Sequence, residues 1–264
     1  MPELILHSPG RDLFALGGVE IYTYGVIMAL AVFCAVMFSN YCANKNSQFP
    51  KDVFISLAPL LIITGLLGAR LWYCILNYSH YLLCPFDILN FRDGGISIHG
   101  AILGGFFGLL FYARRKSLSL LKLCDFSVVG LALGQTIGRW GNFFNNEAFG
   151  LPADLPLKLY IPLNYRPQEF IQYEYFHPTF LYESVADFLI FLMLFRLLNA
   201  PKTPVGAITL FYIFLYSLVR FGIELIRVDS NFFIFGLPFP AFISVILVLF
   251  SSLMLCRLFT KLYK

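Results

Sequence analysis

Long apolar runs separated by short polar connections dominate the pattern of hydrophobic and polar positions along the chain. Most runs approach the roughly 20 residues that a helix needs to cross a membrane. The pattern predicts seven spans, at about 19–38, 53–76, 101–112, 123–140, from 177–183 to just before Asn199, 205–226 and 239–258. We therefore expect an all-α integral membrane protein whose spans pack in one bundle.

The connection between the fourth and fifth spans, 151–176, is polar and rich in proline, which predicts a small irregular lobe outside the membrane. Little chain remains for anything else, so residues 1–264 are expected to form a single transmembrane domain. The first 18 residues show no basic run leading into a short apolar core and a small-residue cleavage site, so we expect this segment to be retained.

Composition agrees with a membrane protein and excludes several functions. Apolar residues make up 59% of the chain and charged residues only 13%, about half the usual share of a soluble protein. The net charge of +4 is modest and its basic residues are dispersed, so nucleic acid is not an expected partner. The six cysteines lie singly, with no C-x-x-C pair and no histidine at metal-binding spacing, and we interpret them as small packing residues.

The stretch 134–150, GQTIGRWGNFFNNEAFG, begins inside the otherwise apolar fourth span and is rich in polar residues. It places the cation Arg139, the three asparagines Asn142, Asn145 and Asn146 and the carboxylate Glu147 among four glycines. An unpaired charge or amide in hydrocarbon costs several kcal/mol, so this density of polar groups indicates a functional site. The alternative is a closely packed glycine-rich helix whose single arginine reaches the headgroups.

Three other features carry candidate chemistry. His99 follows two glycines and precedes a third, which indicates a bent backbone that presents the imidazole; a structural hydrogen-bonding role is the alternative. Arg70 lies deep in the second span and is either functional or a structural counter-charge. Arg220, Glu224 and Arg227 have the i, i+4, i+7 spacing of one helical face, which also fits a self-neutralising ladder of ion pairs.

The distribution of basic residues predicts the orientation of the spans. Eleven of the 19 lysines and arginines lie in the connections after spans one, three and five and in the C-terminal tail. By the positive-inside rule those segments face the cytoplasm, and the N-terminus lies outside. This topology brings Tyr24, His99, the 139–147 stretch, 177–183 and 220–227 to the extracytoplasmic leaflet, so we expect them to form one site. The sequence shows no internal repeat with matching broken helices, which argues against a transporter.

The residue types in this predicted site suit an anionic lipid and a proton acceptor. Guanidinium groups at headgroup depth bind phosphate oxygens in a bidentate manner. His99 can accept a proton near neutral pH. The chain contains no G-x-S-x-G motif and no cysteine in an electropositive polar setting, so the nucleophile is expected to come from a second substrate. No acidic cluster predicts a metal or nucleotide site.

The same motifs give the chain its resemblance to a known family. It resembles the prolipoprotein diacylglyceryl transferase family through six segments that occur in family order and cover nearly the whole chain. These segments are Tyr24-Gly25, Gly68-Ala69-Arg70, Gly94 to Gly100, Gly138 to Glu147 with Gly150, His177 to Glu183, and Arg220 to Arg227. The combination is specific, although each segment alone is weak.

The resemblance implies a bacterial enzyme of the cytoplasmic membrane, without cofactor or metal. Its substrates would be phosphatidylglycerol and the signal peptide of a prolipoprotein, whose lipobox cysteine receives the diacylglyceryl group while glycerol phosphate leaves. By resemblance, Arg139 and Arg220 handle phosphate and His99 has the debated role of base. The resemblance further makes Tyr24, Asn142 and Glu147 headgroup-orienting residues, with Glu224 and Arg227 supporting Arg220.

Two departures from the family pattern and two competing functions remain. Asn146 replaces a usual glycine, which asparagine can do because it tolerates positive φ. The loop Ile234 to Pro238 lacks a usual Gly-Gln pair, so its role is open. A non-catalytic phospholipid carrier or scramblase needs the arginines but neither a base nor a second substrate. A phospholipid-dependent acyltransferase would form a base-labile product instead of a thioether.

Overall fold

The computed structural model describes residues 3–16, 19–46, 49–90, 94–229 and 232–262. Arg92 and Lys264, which enter the orientation argument, lie outside the described residues. The helices of the described chain are α1 (Thr23–Asn44), α2 (Val53–Leu76), α3 (Tyr78–Leu83), α4 (Ile98–Arg115), α5 (Leu120–Asn145), α6 (Thr179–Leu198), α7 (Ala207–Glu224) and α8 (Phe239–Leu262). Its strands are β1 (Leu4–His7), β2 (Asp12–Leu16), β3 (Val19–Tyr22), β4 (Leu157–Tyr160), β5 (Tyr175–Phe176), β6 (Phe233–Ile234) and β7 (Leu237–Pro238).

The helices confirm the predicted class of an all-α integral membrane protein. Within the described residues, α1, α2, α5, α7 and α8 are long and apolar enough to cross a membrane. The helices α4 and α6 have 18 and 20 residues, but α4 ends in Arg114 and Arg115 and α6 carries Glu183 and Asp187. The chain is therefore a multi-pass membrane protein, and the count of seven spans stays a prediction.

Helix ends differ from the predicted ones where polar residues enter a helix. The second span, 53–76, coincides with α2, whereas residues 19–22 form strand β3 and α1 begins only at Thr23. The helix α4 begins at Ile98 instead of 101, which places His99 in its first turn. The helix α5 continues five residues beyond the predicted end at 140, so Arg139 and Asn142 share one helix.

The chain divides into two compact units, residues 36–126 and residues 1–35 with 127–264. In the first unit, α2 and α4 meet along a seam of small residues: Thr64, Gly68, Gly100 and Gly104. A Cβ atom on Gly68 would lie 2.3 Å from the carbonyl oxygen of Gly100, and one on Gly104 would lie 2.1 Å from that of Thr64. Only glycine permits this approach of two helix backbones.

Arg70 fixes the segment that leads into α4 in the same unit. The side chain is buried, and its Nε donates to the carbonyl oxygen of Ile88 at 2.9 Å. Its Nη1 donates to the carbonyl oxygens of Gly94 and Gly95 at 2.7 and 2.9 Å, and Nη2 donates to that of Asn90 at 2.7 Å. These bonds favour the structural interpretation of Arg70 that the sequence left open, because carbonyl groups satisfy its donors.

The lobe at 151–176 is more regular than the composition predicted. In the second unit, β4 pairs in parallel with β1 and antiparallel with β5, which forms a three-stranded sheet. A buried cluster packs beside this sheet and consists of Phe149, Leu159, Ile161, Phe176 and Phe180. Strands of two to five residues carry too short an alternation to be recognised in a proline-rich sequence, which explains the difference.

Candidate functional site

Three arginines converge on one buried carboxylate in the unit formed by residues 1–35 and 127–264. Glu183, in the second turn of α6, has a side chain that is 3% exposed. Its Oε2 lies 2.6 Å from Arg139 Nη2 and 3.5 Å from Arg220 Nη1, and its Oε1 lies 3.5 Å from Arg227 Nη1. The arginines come from α5, from α7 and from the segment after α7, so tertiary structure alone brings them together. We call Glu183 and these three arginines the Glu183 cluster.

Arg220 has a donor that its neighbours do not satisfy. Its Nη2 lies 2.5 Å from Glu224 Oε2, one turn further along α7. Its Nη1 is buried and makes no hydrogen bond within the described part of the chain, although Glu183 is 3.5 Å away. Leaving a buried polar donor without a partner costs about 1–3 kcal/mol, so this N–H is prepared to bind an oxygen atom of a ligand.

Arg227 corrects one prediction from the sequence. The i, i+7 spacing placed it on the helical face of Arg220, but α7 ends at Glu224 and Arg227 instead forms a β-bridge with Gly150. Because Leu151 N donates to Ile226 O at 2.7 Å, the chain leaves the helix to pair with the segment after α5. Arg227 reaches Glu183 from the turn after α7, where its backbone N–H still donates to Ile223 O at 3.2 Å.

A second carboxylate holds Arg227 from the other side. The Nε and Nη2 atoms of Arg227 donate to the Oδ1 and Oδ2 atoms of Asp229 at 2.8 and 2.5 Å. Burial alone would raise the pKa of Asp229, but the hydrogen bonds and charge of Arg227 outweigh it and keep that pKa below its usual range. The bidentate geometry fixes the plane of the Arg227 guanidinium.

Polar groups on α6 and α7 complete the surroundings of Arg139. Asp187 Oδ2 lies 3.6 Å from Arg139 Nε, and the Tyr216 hydroxyl accepts a hydrogen bond from Arg139 Nη2 at 3.2 Å. One turn away, the Tyr212 hydroxyl donates to Gln135 Oε1 at 2.9 Å. A guanidinium in an apolar bundle is thus surrounded by partners on three sides, as a buried charge requires.

The end of α5 forms a second group of predicted residues. Glu147 Oε1 accepts hydrogen bonds from the Nδ2 atoms of Asn142 at 2.9 Å and of Asn145 at 3.4 Å. Asn146 has φ of 52°, which confirms that asparagine accommodates the turn. Its side chain is buried, and its Oδ1 accepts no hydrogen bond from any described residue.

Tyr24 contacts α5 beside this group. A Cβ atom on Gly141 would lie 2.8 Å from Tyr24 Cδ2, so glycine at this position lets the tyrosine ring lie directly against the helix. Tyr24 belongs to the first turn of α1, two residues after β3 ends. The contact places Tyr24 next to the turn of α5 that carries Asn142, and its role in orienting a headgroup stays a prediction.

His99 lies in the other compact unit, residues 36–126, where it is exposed in the first turn of α4. The backbone before it is fixed twice, because Ser97 N donates to Ala69 O at 3.0 Å and Arg70 binds the carbonyl groups of Gly94 and Gly95. The preceding glycines have φ of 80° and 72°, which only glycine adopts readily. The sequence correctly predicted a bent, glycine-dependent backbone here, and the role of His99 as a base stays a prediction.

The charges around Glu183 suit an anion that arrives and leaves. Carboxylates hold the guanidiniums in place, so the buried charges are paired before any ligand binds. The unsatisfied Arg220 Nη1 is the donor that a phosphate oxygen can take without breaking an existing hydrogen bond. The arrangement can therefore bind a phosphate group and stabilise negative charge that develops on one of its oxygens.

We expect Glu183→Gln to be much more damaging than Asp187→Asn. Removing the charge of Glu183 leaves three guanidiniums without their shared partner, whereas the ion pair that Asp187 makes among the described residues is with Arg139, at 3.6 Å. Breaking a buried ion pair costs roughly 3–5 kcal/mol. The midpoint of thermal unfolding in detergent should fall several degrees further for Glu183→Gln than for Asp187→Asn. Equal shifts for both variants would contradict a central role of Glu183.

Three residues around the cluster were absent from the predicted site: Asp187, Tyr216 and Asp229. Glu183 was part of it, as the last residue of the 177–183 stretch, but no role was predicted for Glu183 itself. A signal for Glu183 and Asp187 existed, since two acids four residues apart in an apolar helix rarely serve packing. Tyr216 precedes Arg220 by one turn, but tyrosine is common in membrane helices.

Among the described residues, His, Cys, Asp and Glu side chains form no group of three that could hold a metal ion.

Comparisons with known proteins agree on one family. The model of the family described as prolipoprotein diacylglyceryl transferase matches residues 11–257. A protein of Nostoc sp. named phosphatidylglycerol--prolipoprotein diacylglyceryl transferase is 43% identical, over 84% of this chain and 80% of its own length. Proteins of the same name from Synechococcus elongatus and Prochlorococcus marinus are 43% and 37% identical, over 93% and 98% of this chain and 86% and 95% of their own lengths.

Proposed function

Because the chain belongs to the prolipoprotein diacylglyceryl transferase family, we propose that it transfers the diacylglyceryl group of phosphatidylglycerol to the lipobox cysteine of a prolipoprotein. This reaction is the first step of lipoprotein maturation. The observation that carries the proposal is the convergence of Arg139, Arg220 and Arg227 on Glu183, with Arg220 Nη1 left as a buried donor. A phosphodiester oxygen is a fitting partner for that donor.

The proposed reaction needs only the two substrates and side chains of this protein. The cysteine sulfur attacks the glyceryl carbon that carries the phosphate, a C–S bond forms, and the C–O bond to phosphate breaks. The electron pair of that bond leaves on the phosphate oxygen, so glycerol phosphate departs with additional negative charge. Arg139 and Arg220 stabilise this charge, and removal of one such donor typically costs 2.7–4 kcal/mol of barrier. His99 accepts the thiol proton.

The proposed location is the bacterial cytoplasmic membrane, with the N-terminus on the periplasmic side and the C-terminus in the cytoplasm. The excess of lysine and arginine in the connections after the first, third and fifth predicted spans supports this orientation. The cluster would then face the periplasmic leaflet, where a lipobox cysteine is presented. Phosphatidylglycerol would reach the protein from the bilayer.

Incubation of the purified protein with phosphatidylglycerol and a lipobox peptide tests this function. We expect the cysteine peptide to gain the mass of one diacylglyceryl group and the new linkage to the sulfur to survive mild base. A peptide with serine in place of cysteine is the matched control and should remain unmodified. A phospholipid carrier or scramblase would bind the lipid and leave the peptide unchanged, and an acyltransferase product would be cleaved by mild base.

A further inference from the structure

A polar cavity lies beside Asp229, the partner of Arg227, in the unit of residues 1–35 and 127–264. It has a volume of about 440 Å³, within the usual range for small-molecule sites. The residues that line it lie directly before β2, in the turn after α5, in the 151–176 lobe and in the segment after α7. The lining side chains that matter chemically are Arg11, Asn145, Asn146, Glu147 and Asp229.

One of the residues that line the cavity carries a buried acceptor. Asn146 is 6% exposed, and its Oδ1 accepts no hydrogen bond from the part of the chain that the structure describes. Glu147 and Asp229, on the same walls, are also acceptors. A ligand that brings an O–H or N–H donor to this amide oxygen gains binding free energy, because the oxygen otherwise stays buried without a hydrogen bond.

Arg11 adds an anion-binding group to the same cavity. Its Nε lies 3.5 Å from Asp12 Oδ1, and its guanidinium carbon lies 5.7 Å from the centre of the Tyr22 ring. The Arg11 side chain is 58% exposed, so a phosphate can reach it. Arg11 and Asn145 also line a neighbouring cavity of about 580 Å³ beside the first turns of α1.

The contacts of Asp229 connect this cavity to the Glu183 cluster. Asp229 lines the cavity and binds Arg227 through both carboxylate oxygens, and Arg227 in turn contacts Glu183. The Arg227–Asp229 pair therefore links the lining of the cavity to the Glu183 cluster.

On these contacts, and resting on the proposed function, we propose that the cavity binds the glycerol phosphate group. Arg11 binds the phosphate, and Asn146 Oδ1 accepts a hydrogen bond from a glycerol hydroxyl. A peptide N–H would satisfy Asn146 but would bring no anion to Arg11, so glycerol phosphate fits both groups better. The group is either the leaving product or the headgroup of the intact lipid.

Isothermal titration calorimetry of the purified full-length protein in detergent tests the assignment with free glycerol phosphate and inorganic phosphate as probes. Asn146→Gly keeps the backbone, because glycine adopts φ of 52° without strain, and should weaken glycerol phosphate binding about fivefold while inorganic phosphate binding stays the same. Arg11→Gln should weaken both probes about tenfold. Arg115→Gln, an equal charge change at the exposed end of α4, should weaken neither.

Absence of glycerol phosphate binding, equal weakening of both probes by Asn146→Gly, or no effect of Arg11→Gln would each overturn the proposal. Steady-state kinetics identify the source of the group. A higher inhibition constant for glycerol phosphate with unchanged KM for phosphatidylglycerol assigns the cavity to the product, and a parallel rise in both assigns it to the lipid headgroup. Because calorimetry requires no turnover, a protein that binds glycerol phosphate but forms no thioether refutes the proposed function and leaves the cavity assignment standing.

Discussion

Arg220→Lys is expected to lower the turnover number for thioether formation by about 10²- to 10³-fold, the usual cost of losing one preorganised donor. In the structure the two Nη atoms of Arg220 have different tasks, because Nη2 pairs with Glu224 and Nη1 is a buried donor without a hydrogen bond in the described chain. An ammonium group keeps the charge, but it concentrates its donors on one atom. Lysine therefore cannot hold Glu224 and a phosphate oxygen in the same geometry.

The measurement is the turnover number at saturating phosphatidylglycerol, with the modified peptide quantified by mass spectrometry. Arg196→Lys, the same exchange at the exposed end of α6, is the matched control and should retain parental turnover. Thermal unfolding of both variants separates a folding defect from a catalytic one. Turnover of Arg220→Lys within about threefold of the parent, far from the loss expected for such a donor, would contradict a phosphate contact by Arg220.

His99→Gln is expected to lower turnover by about 10²- to 10⁴-fold at neutral pH while phosphatidylglycerol binding is retained. Glutamine keeps hydrogen-bonding capacity but cannot accept the proton of the thiol. A free cysteine has a pKa of about 8.5, so the thiolate forms without help above that pH. The deficit of the variant should therefore shrink as the pH rises through this range.

A pH profile of turnover for the parent and the variant makes the test. His80→Gln is the control from the same compact unit, since His80 Nε2 lies 2.9 Å from Asp87 Oδ2 on an exposed surface and has no proposed role in the reaction. A deficit of His99→Gln that stays constant at every pH would argue against proton transfer. Loss of lipid binding with unchanged turnover per bound lipid would make His99 a binding residue.

The sequence was informative wherever a charge had to be explained inside an apolar run. Arg139 and Arg220 stood out because hydrocarbon penalises an unpaired cation, and the structure brings both to one carboxylate. The boundaries of α2 followed from the length of its apolar run and its polar flanks. These inferences depend on the free-energy cost of removing a side chain from water, which is known for each residue type without knowledge of the fold.

Long-range pairing was not accessible in the same way. The parallel pairing of Leu4–His7 with Leu157–Tyr160 joins segments far apart in the chain and leaves no local signal. Arg227 was misplaced because its spacing from Arg220 fits a helix, while the bridge to Gly150 ends that helix at Glu224. The role of Glu183 as the shared partner of three arginines could not be predicted, because that meeting exists only after folding.

The close contact of α2 with α4 limits how His99 can move. Because Gly68, Gly100 and Gly104 bring backbone against backbone, neither helix can slide past the other or rotate by itself without a collision of main-chain atoms. His99 follows Ile98 at the start of α4 and is carried by this rigid pair. Any movement of the His99 backbone during a catalytic cycle must therefore be a hinge motion of both helices together, and cross-linking α2 to α4 should leave the reaction rate intact.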